Sequence, residues 1–226
     1  MGILLALCTY CAYAIFTCRI VWRILTVWER SAHFNRDALS KTPPVTILRA
    51  AVDIFFFPRL FRLNPRLWIG EWIFHLSFLL VILRHLRYVV SPMPEWVSVL
   101  QPYGICAGYT LPFSLLYILA VKGVVEKKRY VSSFNVLFLG MMLFMSITGI
   151  MMRTVVRTDI VAIKNYMIGI FSFAPGILPK SALFGIHFAT ALCLLAYLPA
   201  HVFAAPLSVL SAREREDGLK SLMHGE

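Results

Sequence analysis

Four of the six histidines, His75, His85, His187 and His201, fall inside long apolar stretches of the sequence. Ionisable side chains are rare in such surroundings, because burying them away from water is costly and is repaid only by a specific partner. Taken singly, each could be a bridging or helix-end residue of ordinary packing. As a set they form a pattern. In GEWIFHLSFLLVILRHLRYVV, residues 70–90, His75 and His85 are ten positions apart, a helical rise of about 15 Å with a net rotation of about 80°. In IHFATALCLLAYLPAHVF, residues 186–203, His187 and His201 are fourteen apart, about 21 Å with a rotation of about 40°. Two imidazoles facing each other from two segments can hold a metal from opposite sides. When that metal is a haem iron, bis-histidine ligation leaves no open position, which suits electron transfer rather than ligand activation.

Other metals fit the pattern less well. Zinc and di-iron sites usually bring carboxylates or thiolates beside histidine. The only acid in this stretch is Glu71, about one turn before His75 and read as lying at the helix start or interface. Cys8 and Cys11 make a CxxC with no histidine after it, so covalent c-type attachment is not expected. The five cysteines read as structural thiols in apolar segments. The chain therefore brings no iron-sulfur ligand set, and electrons reaching it would leave through another subunit.

The elements that must carry these histidines are membrane helices. Hydrophobic residues make up 59% of the chain and charged residues 15%, with a mean hydropathy of +0.75, a composition outside the ordinary soluble class. A spanning helix needs about 20 largely apolar residues. Five windows qualify, at roughly 2–27, 68–91, 105–125, 133–152 and 184–209. The expected fold is thus an all-α integral membrane bundle forming a single domain over 1–226. The first window is long, carries Arg19 and Arg23 and lacks a clear cleavage site, so it reads as a retained helix.

Basic residues cluster in 29–67, after the third window at Lys122, Lys127, Lys128 and Arg129, and in the tail at Arg213, Arg215 and Lys220. The positive-inside rule then predicts the N-terminus outside and the C-terminus cytoplasmic. Most of the formal charge of +11 is accounted for in this way, and nucleic-acid binding is not expected. The stretch IFFFPRLFRLNPRLW, residues 54–68, predicts an interfacial segment broken by its prolines, and 154–183 a similar outer cap.

With that topology the second and fifth windows run antiparallel. His85 is expected beside His187 near the outer face, and His75 beside His201 near the inner face. Helix tilt, imidazole reach or a kink at Pro199 would absorb the unequal spacings. Small residues at Gly70, Ser77, Gly185, Ala189, Ala191, Ala196 and Ala200 would let a flat ring approach the backbone. Arg84 and Arg87 are candidates for haem propionates, with Arg153 and Lys180 behind them. Arg84, Arg87, Tyr88, Asp159, Lys164 and Lys180 are candidates for a quinone pocket on the same side, set against the alternative that they anchor loops and interfaces. A histidine-lined proton or metal conduit and a purely structural membrane anchor are the competing functional classes. The apolar character of the sequence between the histidines weighs against the first.

The helix-2 motif FHLSFLLVILRH (74–85) and the helix-5 motif ending HVFAAPLSVLSAR (201–213) resemble the NarI-like family. Its members are the dihaem cytochrome b, or gamma, subunit of respiratory nitrate reductase and related cytochromes of sulfate-reducer transmembrane complexes. The resemblance covers nearly the whole chain. The helix-2 spacing matches the nitrate reductase subunit, whereas the helix-5 histidines are closer together. That departure points to a relative serving an Hmc-type or heterodisulfide-reductase-like complex. The resemblance implies His75, His85, His187 and His201 as axial ligands of two haem b groups. It also implies a prokaryotic inner membrane as location, menaquinone or ubiquinone as substrate near the outer haem, and an iron-sulfur or heterodisulfide-reductase-like subunit as redox partner.

Overall fold

A computed structural model of the chain describes residues 2–32, 44–125, 133–202 and 216. The helices, in chain order, are α1 (Gly2–Ala32), α2 (Pro44–Phe56), α3 (Pro58–Leu63), α4 (Pro65–His85), α5 (Glu95–Val99), α6 (Gln101–Ala120), α7 (Ser133–Thr154), α8 (Ile160–Phe171) and α9 (Ala182–Val202). A 3₁₀ turn, Leu86–Tyr88, extends α4, and a π-helical turn, Val121–Val125, extends α6. The fold is all-α, with no strand among the described residues. Five helices are long and apolar enough to cross a membrane: Gly2–Thr26, Pro65–Tyr88, Gln101–Val124, Asn135–Thr154 and Ala182–Pro199. They match the five windows read from the sequence. Positions 203–209 of the last window lie outside the described residues, as does most of the tail.

The chain divides into two compact units, Met1–Cys11 with Asn64–Leu194, and Ala12–Leu63 with Leu195–Glu226. In the first, α4 begins where the sequence puts two turn-forming residues together. Asn64 caps the helix, its side-chain oxygen accepting from the Leu67 amide at 3.0 Å, and Pro65 occupies the first helical position. A proline there gives up no hydrogen bond, because that amide has no helical partner. The proline expected to break the chain therefore starts the helix, three residues before the predicted boundary.

α4 packs along α6, and small and polar side chains at the seam set how closely. A Cβ placed on Gly70 would lie 2.7 Å from Tyr117 Cδ1 and 2.9 Å from Ile118 Cγ1. Farther along, the Ser77 and Thr110 hydroxyls are 2.8 Å apart. Thr110 spends its one proton on the Ala107 carbonyl at 3.1 Å, so Ser77 is the donor across the seam. Gly70 and Ser77 were expected to make room for a flat cofactor ring. They serve helix–helix packing instead, as small and hydroxyl residues do where apolar lipid offers no driving force between helices. At the Gly70 end of that seam, Lys122 in the π turn pairs with Glu71 at 3.0 Å.

The 154–183 stretch, expected as an outer cap, holds the helix α8. Asp159 caps α8, its Oδ1 accepting from the amides of Val161 at 2.8 Å and Ala162 at 3.3 Å. The helix buries Ile163, Tyr166 and Ile170. The Tyr166 ring meets Phe184 and Phe188 of α9 edge-on at 6.2 Å each, and Tyr10 of α1 donates to the Ile170 carbonyl at 3.0 Å.

In the second unit α2 and α3 are separated at Phe57, whose φ is +48°. The residue before a proline is pushed out of the right-handed helical region, and Pro58 follows, so the break expected at this proline is present. Phe55, Phe56, Phe61 and Leu63 are exposed, and Arg59 pairs with Glu216 at 2.7 Å. Arg19 of α1 donates to the Ala196 carbonyl at 2.8 Å.

Candidate functional site

His85 occupies the last position of α4, and its Nδ1 lies 2.6 Å from the Val81 carbonyl oxygen one turn earlier. A carbonyl can only accept, so Nδ1 carries the proton and Nε2 keeps a lone pair. His187 sits in the second turn of α9, its Nδ1 2.9 Å from the Thr148 hydroxyl of α7. Thr148 donates its proton to the Met145 carbonyl at 2.9 Å, so here too the imidazole is the donor and Nε2 is left as the basic nitrogen. Gly149 leaves room for this ring, since a Cβ there would lie 3.3 Å from His187 Cε1.

The two rings stand with centroids 6.5 Å apart and planes 10° from parallel. With both Nε2 atoms turned to one metal, two bonds of about 2 Å and nitrogens roughly 1.1 Å from their ring centres would place the centroids about 6 Å apart. Both imidazoles have the tautomer that a metal-binding histidine takes, with the second nitrogen fixed by a backbone or side-chain oxygen. His85 is exposed and His187 half-buried in the chain alone. Among the described residues no three His, Cys, Asp or Glu side chains gather. These observations fit a haem iron, for which the porphyrin supplies the remaining four ligands.

His75, one turn after Glu71 on α4, repeats the device. Its Nδ1 is 2.6 Å from the Glu71 carbonyl oxygen, and half of its side chain is exposed. The expected counterpart, His201, lies on α9, and its side chain is outside the described residues.

Of the other candidates, Arg84, Arg87 and Tyr88 gather around His85. Tyr88 meets the His85 ring edge-on at 5.8 Å, and the Arg87 guanidinium sits 5.2 Å over the Tyr88 ring. Asp159 is occupied as the cap of α8. Lys164 lies within α8, Lys180 is exposed in the segment before α9, and Arg153 is exposed in the last turn of α7. No described contact brings Asp159, Lys164 or Lys180 to the histidine pair. An apolar cleft of about 560 Å³ opens between α7 and α9, lined by Gly140, Phe144, Ala189, Thr190 and Cys193 among others. Phe144 and Thr190 stand one turn from Thr148 and His187 respectively, so the cleft starts next to the pair.

Two curated proteins are similar to the chain. Both are named Hdr-like menaquinol oxidoreductase cytochrome b-like subunit. The one from Archaeoglobus fulgidus is 28% identical over 240 aligned positions, covering 84% of this chain and 72% of the relative. The one from Archaeoglobus profundus is 24% identical over 241, covering 84% and 71%. The chain is a relative of these cytochrome b-like subunits. This agrees with the resemblance read from the histidine motifs, on the heterodisulfide-reductase-like rather than the nitrate reductase side. No family model and no solved structure matches the chain.

Thr148, Gly149 and Gln101, which accepts hydrogen bonds from Arg84 and Arg87, are site residues that sequence reasoning missed. The apolar run FMSITGIMM holds two hydroxyls, Ser146 and Thr148, with nothing in their spacing to single out Thr148, and its role appears only when α7 and α9 are packed. Thr148→Val keeps the shape of the side chain and removes the acceptor for His187. The loss of such an outer hydrogen bond typically weakens metal-site affinity by about 10–100-fold. With haem held between these histidines, the variant is expected to lose it during purification, measured as haem per chain against wild type.

Proposed function

We propose that the chain is a dihaem b-type cytochrome subunit of a membrane-bound respiratory complex, carrying electrons across the membrane between menaquinol and a redox partner subunit. The observation that carries the reading is the His85–His187 pair, from two spanning segments, with ring centroids 6.5 Å apart and both Nδ1 atoms committed elsewhere. The second site, His75 with His201, rests on the sequence spacing and on the matching tautomer at His75.

When bound, haem supplies a one-electron carrier with no free coordination position. The protein's own contribution is orientation and electrostatics. Val81 and Thr148 fix the two imidazoles, while Arg84 and Arg87 bring positive charge for the haem propionates. The cleft between α7 and α9 offers an apolar wall next to the His85–His187 pair, where a quinone would exchange electrons. The printed name of the two relatives favours menaquinol as the quinone and a heterodisulfide-reductase-like assembly as the electron partner. The basic connections favour the N-terminus outside, which puts His85 and His187 near the outer face and His75 and His201 near the cytoplasmic one.

The test is a pyridine haemochrome assay and a reduced-minus-oxidised spectrum of the detergent-purified chain. Two b-type haems per chain are expected. A well-folded preparation from haem-replete cells that contains none would overturn the proposal.

A further inference from the structure

Gln101, the first residue of α6, is the meeting point of two arginines. Its Oε1 lies 3.3 Å from Arg84 Nε and 3.1 Å from Arg87 Nη1, while its own amide nitrogen faces the Val97 carbonyl at 3.4 Å. The stem of Arg84 lies flat on Gly104, one turn further along α6. A Cβ on that glycine would come within 2.7 Å of Arg84 Cβ and 2.8 Å of Cδ. Arg84 is therefore held at two points, by an amide oxygen at its head and by a missing side chain along its stem. Among the described residues none of these guanidinium groups pairs with a carboxylate.

Buried or half-buried arginines usually meet an acid. Here the acceptor is neutral, so no carboxylate of the protein cancels the positive charge held in place. The charge belongs to residues one before and two after His85, and Tyr88 lies between Arg87 and the His85 ring. We infer that Gln101 is a positioning residue, an uncharged hub that fixes Arg84 and Arg87 beside the His85–His187 site and so raises the reduction potential of the group bound there. This rests on the proposed haem ligation. The physical argument is direct. The ferric form carries one more positive charge than the ferrous form, so a fixed cation nearby favours the reduced state. A unit charge about 10 Å away, at an effective dielectric of about 20, changes an equilibrium by roughly tenfold or somewhat more. For a one-electron couple that is about 59 mV per tenfold.

The experiment is a spectroelectrochemical titration of the purified chain carrying Gln101→Glu, with Gln101→Met beside it. Glutamate is nearly isosteric and keeps both arginines in place while cancelling one charge. Methionine keeps the length and removes the acceptor, letting both guanidinium groups turn toward water. Each is expected to lower the potential of the outer haem by a shift equivalent to roughly tenfold, leaving the inner haem's potential unchanged as the internal reference. If only one of the two variants assembles, that variant decides. Two haems with both potentials unmoved would overturn the role of Gln101 and leave the haem reading intact. Absence of haem from the wild-type chain would instead overturn the reading beneath it.

Discussion

Replacing His85 by alanine is expected to halve the haem content of the purified chain, from two per chain to one, with the surviving spectrum that of the inner site. The reason is geometric. The 6.5 Å between the His85 and His187 ring centres leaves space for one metal ion and its two bonds, and alanine removes one bond entirely. His187 keeps its orientation, because its Nδ1 is held by Thr148 on α7 and not by anything on α4. It cannot reach across to replace the missing ligand. The fold has little to lose, since His85 is exposed in the chain alone, and alanine is the best helix former at the last position of a helix that ends there. The measurement is a pyridine haemochrome count with the melting temperature alongside. A variant that keeps two haems with unchanged spectra would separate His85 from His187 and sink the pairing. A variant that loses both would mean that the two sites assemble as a unit.

The histidine pattern was legible because membrane helices carry few polar residues, and each one that remains stands out against the apolar run. Positions and types sufficed to pair His85 with His187, and those rings do lie together. What decides the chemistry of the pair was not legible. Neither tautomer can be read without knowing that Val81 stands one turn behind His85 and that Thr148 arrives from another helix. The small residues show the same limit. Gly70 and Gly185 look alike in the sequence, yet Gly70 is filled by Tyr117 and Ile118, while a Cβ on Gly185 would meet nothing within 4 Å. A glycine says that something comes close or that nothing needs to, and only packing distinguishes the two. For α8 the signal was present: Asp159 before IVAIKNYMIGIF has the form of a cap followed by an apolar helix. The Gly, Pro and Phe content at the far end of the stretch points only to an outer cap.

Basic residues placed the interfacial segment and the expected orientation, but the arginines near His85 read equally well as interface anchors. Arg84 and Arg87 differ from an ordinary snorkelling pair because both point to one amide oxygen at the start of α6. That convergence joins residues 14 and 17 positions apart in the chain, beyond the reach of any helical period.

Gly70→Leu is expected to produce the opposite signature to His85→Ala: loss of both haems together with a lowered melting temperature. Even a single added Cβ lies inside the contact limit of two atoms, Tyr117 Cδ1 at 2.7 Å and Ile118 Cγ1 at 2.9 Å. Tyr117 is partly exposed and can swing aside, whereas Ile118 is fully buried and has nowhere to go. Overpacking of this kind costs about 1–3 kcal/mol. Alanine recovers up to about 1 kcal/mol of that through helix propensity, so Gly70→Ala is expected to be nearly neutral or mildly destabilising. Leucine adds three more carbons to a seam already closed, and α4 must move away from α6. Because α4 carries both His75 and His85, a shift of the whole helix misplaces a ligand at each site at once, without touching either imidazole. Haem per chain and thermal unfolding in detergent, measured on Gly70→Ala, Gly70→Leu and His85→Ala together, separate the two mechanisms. A leucine variant that retains both haems and its melting temperature would show that α4 does not depend on close approach to α6 for the placement of its histidines.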